Sequence, residues 1–364
     1  MEGFRACFAD LVDPRRGNAQ RHELDEIVMV ALLAMVSGAE TCVDMALFGR
    51  SKEALLRRFL RLPGGIPSHD TFSRVFRLLD PLAFEACFAR YVAALAERIE
   101  GVVAVDGKTM RRSFDRRKGQ GPLHLISAFA CDTRLALGQR KVDGKSNEIT
   151  ALPELLALLT LDGCFVTADA MHCQKATARA ILERGGDYVL AVKGNQKTLL
   201  EDIHLLLDEP DATPDDTART VDGDHGRIET RRAAVLHDVA WLAEQHGFPG
   251  LAAVGKVEAT REIDGKATTA NRYCILSKPL PADRFLDVVR AHWHVENRLH
   301  WVLDVIMDED QARARKDHAP ENLARLRRFA LNILRTNKDK GSTRGKIKRA
   351  ARDDAFLLQL LAAA

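Results

Sequence analysis

The sequence lacks the features that mark several large classes of protein. Its seven cysteines are scattered and none forms a CxxC pair, so neither a disulfide framework nor a structural zinc site is expected. No uncharged apolar run approaches the roughly 20 residues that a membrane-spanning helix needs. The first residues also lack the basic, apolar and small pattern of a secretory signal. We therefore expect a cytoplasmic protein with reduced thiols and no membrane contact.

Net charge is also nearly absent, at +3 for 364 residues. Affinity for an anionic polymer must therefore come from the uneven placement of charge. Residues 335–352 carry eight Lys or Arg and one acid, whereas residues 201–216 are strongly acidic. We interpret residues 337–364 as a basic C-terminal tail that contacts phosphate regardless of sequence, with a merely solvated tail as the alternative.

The first hundred residues show the apolar spacing of helices. Residues 24–35 are apolar at helical intervals, residues 63–67 form a Pro/Gly break, and Ser68 is a candidate N-cap. Arginines lie on the faces that the pattern leaves exposed. Residues 1–98 are therefore predicted to form a helical N-terminal DNA-binding domain. The alternative is a helical bundle whose arginines are only solvated.

The spacing of the apolar residues changes near residue 101, from a helical pattern to short apolar runs. Apolar runs at residues 102–105, 124–131 and 135–142 predict an antiparallel meander. Ser146 or Asn147 is a candidate cap for the next helix, after which strands at 164–168 and 188–192 alternate with helices up to residue 207. This order is that of an α/β, ribonuclease-H-like catalytic domain with a mixed sheet. We assign that domain to residues 99–207 and 282–336, and residues 208–281 to a β-rich insertion.

Three acids are placed where such a fold would bring them together. Asp106 and Asp169 each follow a buried strand, and Glu296 lies on the helix predicted over residues 284–307. Carboxylates in this arrangement suit hard divalent cations. The softer pair His172 and Cys173 is the alternative metal site. Rival acids at the end of the Glu296 helix are ranked lower because charge there is usually solvated: Asp304, Asp308, Glu309 and Asp310.

Side chains near the acids have two readings each. Lys108, Arg111, Arg112 and Lys193 either bind backbone phosphate or are solvated. Trp293 either stacks on an unpaired base or belongs to the core. His292 either contacts phosphate or is a hydrogen-bonded structural histidine. Metal-binding carboxylates beside cations point to phosphodiester chemistry.

Longer stretches resemble the DDE transposases of bacterial insertion sequences, in particular the H-repeat-associated branch. The similar segments are SHDTFSRVF, VAVDGKTMRRS, GKSNEITALPELL, TADAMHCQKATA, DYVLAVKGNQ, HGRIETR, HWHVENRLHWVLDV and DEDQARARKDHAPENLARLRRFALNIL. The resemblance covers nearly the whole chain. It implies that Asp106, Asp169 and Glu296 are the metal-binding catalytic triad, holding two Mg²⁺ ions for which Mn²⁺ can substitute.

Many relatives place an Arg four residues before the catalytic Glu and a Lys seven residues after it. Here His292 and Leu303 occupy those positions, so the phosphate contacts pass to His292, Arg298, Arg313 or Arg315. The resemblance implies a DNA transposase that cuts element ends and joins the 3′-hydroxyls to target DNA, acting as a homodimer on DNA near the nucleoid. The alternatives are a metal-dependent nuclease of the same fold and a catalytically inactive DNA-binding relic.

Overall fold

The computed structural model describes residues 2–17, 20–95, 99–115, 119, 121–142, 148–224 and 227–362. The candidate caps Ser146 and Asn147 lie outside these ranges. In the described part of the chain, no helix combines the length and the apolar composition needed to cross a bilayer. The fold is a mixed α/β structure, as predicted, with one long sheet and helices packed on it.

Six helices precede the sheet. The second of them is buried almost all round because its sequence is apolar on every side. Sharp starts come from side-chain caps. Thr41 and Asp44 form a reciprocal capping box, and the Ser68 hydroxyl accepts a hydrogen bond from the Thr71 amide, as the sequence predicts. The helices are α1 (Glu2–Cys7), α2 (Leu24–Val36), α3 (Cys42–Ser51), α4 (Glu53–Leu56), α5 (His69–Leu78) and α6 (Pro81–Leu95).

The part of the sheet that precedes the insertion has the predicted order of elements. Strands β1 (Gly101–Met110), β2 (Leu123–Ala130) and β3 (Leu135–Val142) form the antiparallel meander. Strand β4 (Cys164–Ala168) then pairs parallel with β1, and β5 (Asp187–Val192) pairs parallel with β4. The connecting helices are α7 (Glu148–Leu156), α8 (Lys175–Glu183) and α9 (Lys197–Leu207).

The inserted segment extends this sheet. Strands β6 (Asp216–Asp224), β7 (Arg227–Leu236), β8 (Ala253–Ile263) and β9 (Lys266–Leu276) form an antiparallel array, with α10 (Ala240–His246) between β7 and β8. Strand β9 pairs with β5, giving one nine-stranded sheet in the order β3-β2-β1-β4-β5-β9-β8-β7-β6. Strand β6 was not predicted, because its sequence is polar and it lies at the edge of the sheet, where one side meets solvent.

The chain after the insertion differs from the prediction in two ways. The expected single helix over residues 284–307 is divided into α11 (Ala282–Ala291), a π-helix (Val295–His300) and α12 (Trp301–Val305). The basic tail is helical, with α14 (Thr343–Arg352) and α15 (Asp354–Ala362) packed beside α13 (Ala319–Thr336). Charges such as Lys346 are buried in this packing instead of being solvated.

Buried polar contacts join the N-terminal helices to strand β3 and helix α13. Glu85 of α6 forms an ion pair with Arg325 of α13, and its other oxygen accepts a hydrogen bond from the Gln139 amide of β3 at 2.9 Å. The Asn322 amide donates to the carbonyls of Phe76 and Leu79 at 3.0 and 2.8 Å. Because buried polar groups are costly unless satisfied, these bonds fix how the helices sit against the sheet.

Candidate active site

The sheet register brings Asp106 and Asp169 together. Strands β1 and β4 pair in parallel up to Val105 and Ala168, so each aspartate is the next residue beyond the end of the ladder. Neighbouring strands lie about 4.8 Å apart. Strand β1 does not end at Val105 as predicted, since it continues beside β2 to Met110. Asp106 therefore stands where β4 stops and β1 continues, at a notch in the sheet.

The third acid reaches this notch from the π-helix. That helix packs against β1 and β2. Its i→i+5 bonding places residues four and five apart on one side, which brings Glu296 and His300 to the same face. The Nδ1 atom of His300 lies 3.4 Å from Oδ2 of Asp106. A π-helical turn inside a helix is frequently found at functional sites.

The two aspartates act electrostatically on Glu296. Burial and the negative charges of Asp106 and Asp169 raise the pKa of Glu296, against an opposing effect of His300. Burial would also raise the pKa of Asp106, but the hydrogen bond and charge of His300, together with His292, hold it below its usual value. Glu296 is thus in the field of the two aspartates, and a bound cation would relieve that repulsion.

Two histidines lie beside Asp169. His292 is 9% exposed, and its Nδ1 forms a hydrogen bond with the Thr167 hydroxyl at 3.0 Å while its Nε2 lies 3.9 Å from Asp169. Burial lowers the pKa of His292 and likewise that of the buried His172. His292 is therefore a hydrogen-bonded internal residue, which argues against the expected surface contact with phosphate.

The donor set of the three acids fits a hard divalent cation. All three offer carboxylate oxygens, the ligands that Mg²⁺ and Mn²⁺ prefer. The buried Nε2 of His300 has no hydrogen-bond partner among the described residues, so a polar atom at the site is unsatisfied. Among the same residues, no group of three His, Cys, Asp or Glu side chains is already arranged to hold a metal ion. The three carboxylates would have to move closer together to share a metal ion. This finding also gives no support to a metal site at His172 and Cys173.

An internal ion network holds β1 against the chain that follows the π-helix. Lys108, two residues after Asp106, is 7% exposed and forms ion pairs with Asp304 and, at 2.7 Å, with Glu309. Arg328 of α13 donates to the other oxygen of Glu309 at 2.8 Å. The Lys108 ammonium is thereby committed to carboxylates, so we do not retain Lys108 as a phosphate contact. The rival acids Asp304 and Glu309 are likewise structural.

A basic groove of about 620 Å³ lies beside the carboxylates, between the insertion and the π-helix. The predicted residues Lys193 and Trp293 line it, and Trp293 is 45% exposed, so it is not part of the core. Arg272 of β9 lies over the Trp293 ring at 5.2 Å. Its positive charge favours the ionised form of Glu296, but burial and the two aspartates have the larger effect and raise the pKa of that group. The remaining basic residues of the groove are Arg227, Arg231, Arg261 and Arg290.

Part of that positive charge is uncompensated. Arg231 and Arg290 share Asp222, at 2.6 and 3.1 Å, and Arg227 lies 3.6 Å from Glu229. Lys193, Arg261 and Arg272, in contrast, form no ion pair with any described carboxylate. Sequence reasoning missed the arginines of the insertion, because only the pairing of β9 with β5 brings them to the site.

The other predicted phosphate contacts lie elsewhere. Arg313 and Arg315 line a separate pocket of about 750 Å³ between α5 and the loop after α12. Arg315 also donates to the carbonyl of Arg112 at 3.0 Å, and Arg111 is exposed. Arg298 follows Glu296 on the π-helix but faces a third pocket. Leu303, at the position where relatives carry Lys, is fully buried and has no access to phosphate.

Comparisons with known proteins cover nearly the whole chain. Residues 97–333 match the family described as "Transposase DDE domain", and residues 5–92 match the family described as "DDE_Tnp_1-associated". The "H repeat-associated putative transposase YhhI" of Escherichia coli (strain K12) is 38% identical, over 94% of this chain and 93% of that protein. The "Uncharacterized protein in dhlA 3'region" of Xanthobacter autotrophicus is 48% identical, over 74% and 93%.

A solved structure, the "piggyBac transposase synaptic complex with hairpin DNA", aligns with 99% of this chain and 78% of that chain, at a TM-score of 0.45 and 11% identity. The family matches and the observed strand order both confirm the ribonuclease-H-like prediction and the resemblance drawn from the sequence motifs. This chain belongs to the DDE transposase family, and H-repeat-associated putative transposases are among its relatives.

Proposed function

We propose that this DNA transposase cuts phosphodiester bonds at the ends of an insertion sequence and joins the freed 3′-hydroxyls to target DNA. The observation that carries the proposal is that Asp106 and Asp169 end neighbouring strands at one notch of the sheet, and that their negative charges raise the pKa of Glu296. A basic groove adjoins that notch. Anionic ligands for a cation beside cationic ligands for phosphate are what DNA cleavage requires.

The three carboxylates would hold divalent metal ions, which we propose to be two Mg²⁺. Bound there, the ions would supply Lewis-acid activation of the attacking oxygen and neutralise charge on the leaving oxygen. The chain contributes placement. Strand pairing fixes Asp106 and Asp169, while Thr167 holds His292 beside Asp169. His300 keeps the Asp106 carboxyl ionised, because its hydrogen bond and charge lower the pKa of that group.

The groove would hold the DNA strand that enters the site. Lys193 and Arg272 offer unpaired positive charge to backbone phosphates, and Trp293 offers an exposed ring on which a base can stack. In cleavage, water oxygen bonds to phosphorus, the bond to the 3′ oxygen breaks, and that oxygen leaves as a hydroxyl after gaining a proton. In joining, the same hydroxyl attacks a target phosphodiester, so one P–O bond again forms as one breaks.

The test uses duplex DNA carrying the terminal sequences that flank the coding sequence, with Mg²⁺. Asp106→Asn, Asp169→Asn and Glu296→Gln should each abolish cleavage. The affinity for DNA should stay within about twofold of wild type, a change of well under one kcal/mol in binding free energy. Asp310→Asn is the matched control, because this nearby acid is 24% exposed and pairs loosely with Arg111 at 3.8 Å. Cleavage by any of the three variants at the wild-type rate would refute the assignment.

The same assay separates the alternatives. A nuclease would cut end DNA yet join none of it to a second DNA, and an inactive relic would bind without cutting. Because two ends must be cut and joined together, we propose a homodimer on DNA. Light scattering of the protein with and without end DNA measures that directly, and a complex containing one copy per pair of ends would contradict it.

A further inference from the structure

A second concave surface, which we call the C-terminal pocket, lies on the flank of the π-helix that carries Glu296. It encloses about 290 Å³ between the β2–β3 turn, the π-helix and the start of α14. Every ionisable residue that lines it is basic: Arg134, Arg298, Arg335 and Lys346. The volume is that of a small group, on the scale of a phosphate with part of its sugar. Such a concentration of one sign of charge attracts an anion.

Arg335 is the centre of this pocket. Its guanidinium donates to the carbonyl of Arg134 at 2.5 Å and to the carbonyl of Arg298, and it lies over the Phe129 ring at 5.4 Å. These contacts fix the side chain in place, so little entropy remains to be lost on binding. They also tie α13 to the β2–β3 turn and to the helix that carries Glu296.

The arginines of the C-terminal pocket lack counter-charges. Among the described residues, no carboxylate forms an ion pair with Arg134, Arg298 or Arg335. Burial and the positive charges of Arg134 and Arg298 lower the pKa of Arg335 to about 9, and no acid offsets them. Since buried charge is costly unless paired, an anion would stabilise this cluster.

The start of α14 adds a further positive element. Gly341 and Thr343 line the pocket, and Ser342 caps the helix by accepting from the Gly345 amide at 3.1 Å. The amino end of a helix of this length favours anions. Lys346 has a different task, since its ammonium donates to the carbonyls of Leu334 and Asn337 at 3.1 and 2.6 Å and so anchors the segment before α14.

The pocket is next to the chemistry but separate from the basic groove. Arg298 is two residues after Glu296, and Asn297 lines both concave surfaces. Trp301, 54% exposed, presents its ring at the rim. The two surfaces therefore flank the π-helix that carries Glu296, which is an arrangement suited to two DNA molecules that must meet at one site.

We propose that the C-terminal pocket binds a backbone phosphate of the target DNA during joining, with Trp301 against the adjoining nucleotide. This proposal rests on the proposed function, because only a joining enzyme takes a second DNA. Arg134, Arg298 and Arg335 supply the charge, and the groove on the other side remains with the element end. None of these arginines contacts the carboxylates, so the pocket selects and holds DNA without acting on it.

The experiment compares cleavage with joining in Arg134→Glu and Trp301→Ala, two exposed positions whose change leaves the half-buried Arg335 in place. End duplexes that already carry a free 3′-hydroxyl are joined to a supercoiled plasmid, and cleavage of uncut end duplexes is measured in parallel. We expect joining to fall by about tenfold or more, because Arg134→Glu removes a charge-assisted contact and Trp301→Ala removes a stacked ring, while cleavage changes by less than about twofold. Arg179→Glu, an exposed arginine on α8 outside both surfaces, is the matched control.

Selective loss of joining supports the proposal. Equal loss of cleavage and joining would overturn it by assigning the pocket to the element end, and unchanged joining would overturn it outright. A wild-type protein that cuts no end DNA would instead refute the proposed function. In that event plasmid binding by Arg134→Glu still tests the pocket. Removing its phosphate contact should reduce the slope of log affinity against log salt by at least about 0.9. An unaltered slope would show that the pocket holds no phosphate.

Discussion

Glu309 lies at the centre of the internal ion network, and replacing it by Gln should destabilise the protein strongly. The side chain is fully buried, with Lys108 at 2.7 Å and Arg328 at 2.8 Å. Arg328, then Lys108 and Arg327, outweigh the effect of burial and lower the pKa of Glu309 from 4.5 to about 2. At about 1.4 kcal/mol per pKa unit, that shift corresponds to about 3 kcal/mol of stability. Glutamine keeps the shape but leaves Arg328 without an ion-pair partner among the described residues, and Lys108 with Asp304 alone.

Urea unfolding at pH 7, followed by the fluorescence of the three tryptophans, measures the loss. The pH dependence supplies a second check. Because the folded pKa is depressed, the contribution of Glu309 is complete above about pH 4.5 and disappears as the pH falls towards 2. The difference between wild type and Glu309→Gln should therefore shrink on acidification.

The control for this measurement is Glu201→Gln. Glu201 is 57% exposed and lies 3.7 Å from Lys197, so its loss should cost less than about 1 kcal/mol. If Glu309→Gln costs no more than the control at pH 7, or if its cost does not depend on pH, the network does not stabilise the fold as described.

Three further predictions test packing, thiol chemistry and the basic groove. A Cβ on Gly255 would lie 2.6 Å from the fully buried Phe285 ring, so Gly255→Ala should cost about 1–3 kcal/mol, and an unchanged melting temperature would contradict this. Burial raises the pKa of the Cys274 thiol to about 12, so iodoacetamide at pH 8 should label it only after denaturation. Trp293→Ala should weaken binding of single-stranded DNA by about 1–3 kcal/mol at any salt concentration, whereas Arg272→Ala should lower the slope of log affinity against log salt by about 0.7. The reverse pattern in salt titrations would reject these roles.

The sequence was sufficient for the part of the site that depends on local pattern. Asp106 and Asp169 were predictable because each follows a short apolar run, and parallel pairing of such runs aligns their ends. The helical cap at Ser68 was predictable for the same reason, since a hydroxyl before a helix satisfies a free amide. The choice of Glu296 as the third acid also needed the family resemblance, because several other acids follow it along the chain.

Other features depend on contacts between distant segments. Arg272 enters the site only because β9 pairs with β5, and Arg335 reaches Arg298 only because α13 packs beside the π-helix. His300 was missed because the π-helical turn that directs it at Asp106 has no distinct apolar period. Lys108 was expected either to bind phosphate or to be solvated, yet it is buried in ion pairs with two carboxylates from later segments. The roles of these residues cannot be inferred from the sequence pattern on either side of them.

The pairing of β9 with β5 has a consequence for any attempt to shorten this enzyme. Cutting out residues 208–281 would remove four strands and leave the backbone amides and carbonyls of β5 without their partner. An apolar strand with a bare edge invites other chains to add to it. A trimmed version would therefore tend to aggregate, and a viable miniature would need a substitute strand at that seam before any catalytic optimisation.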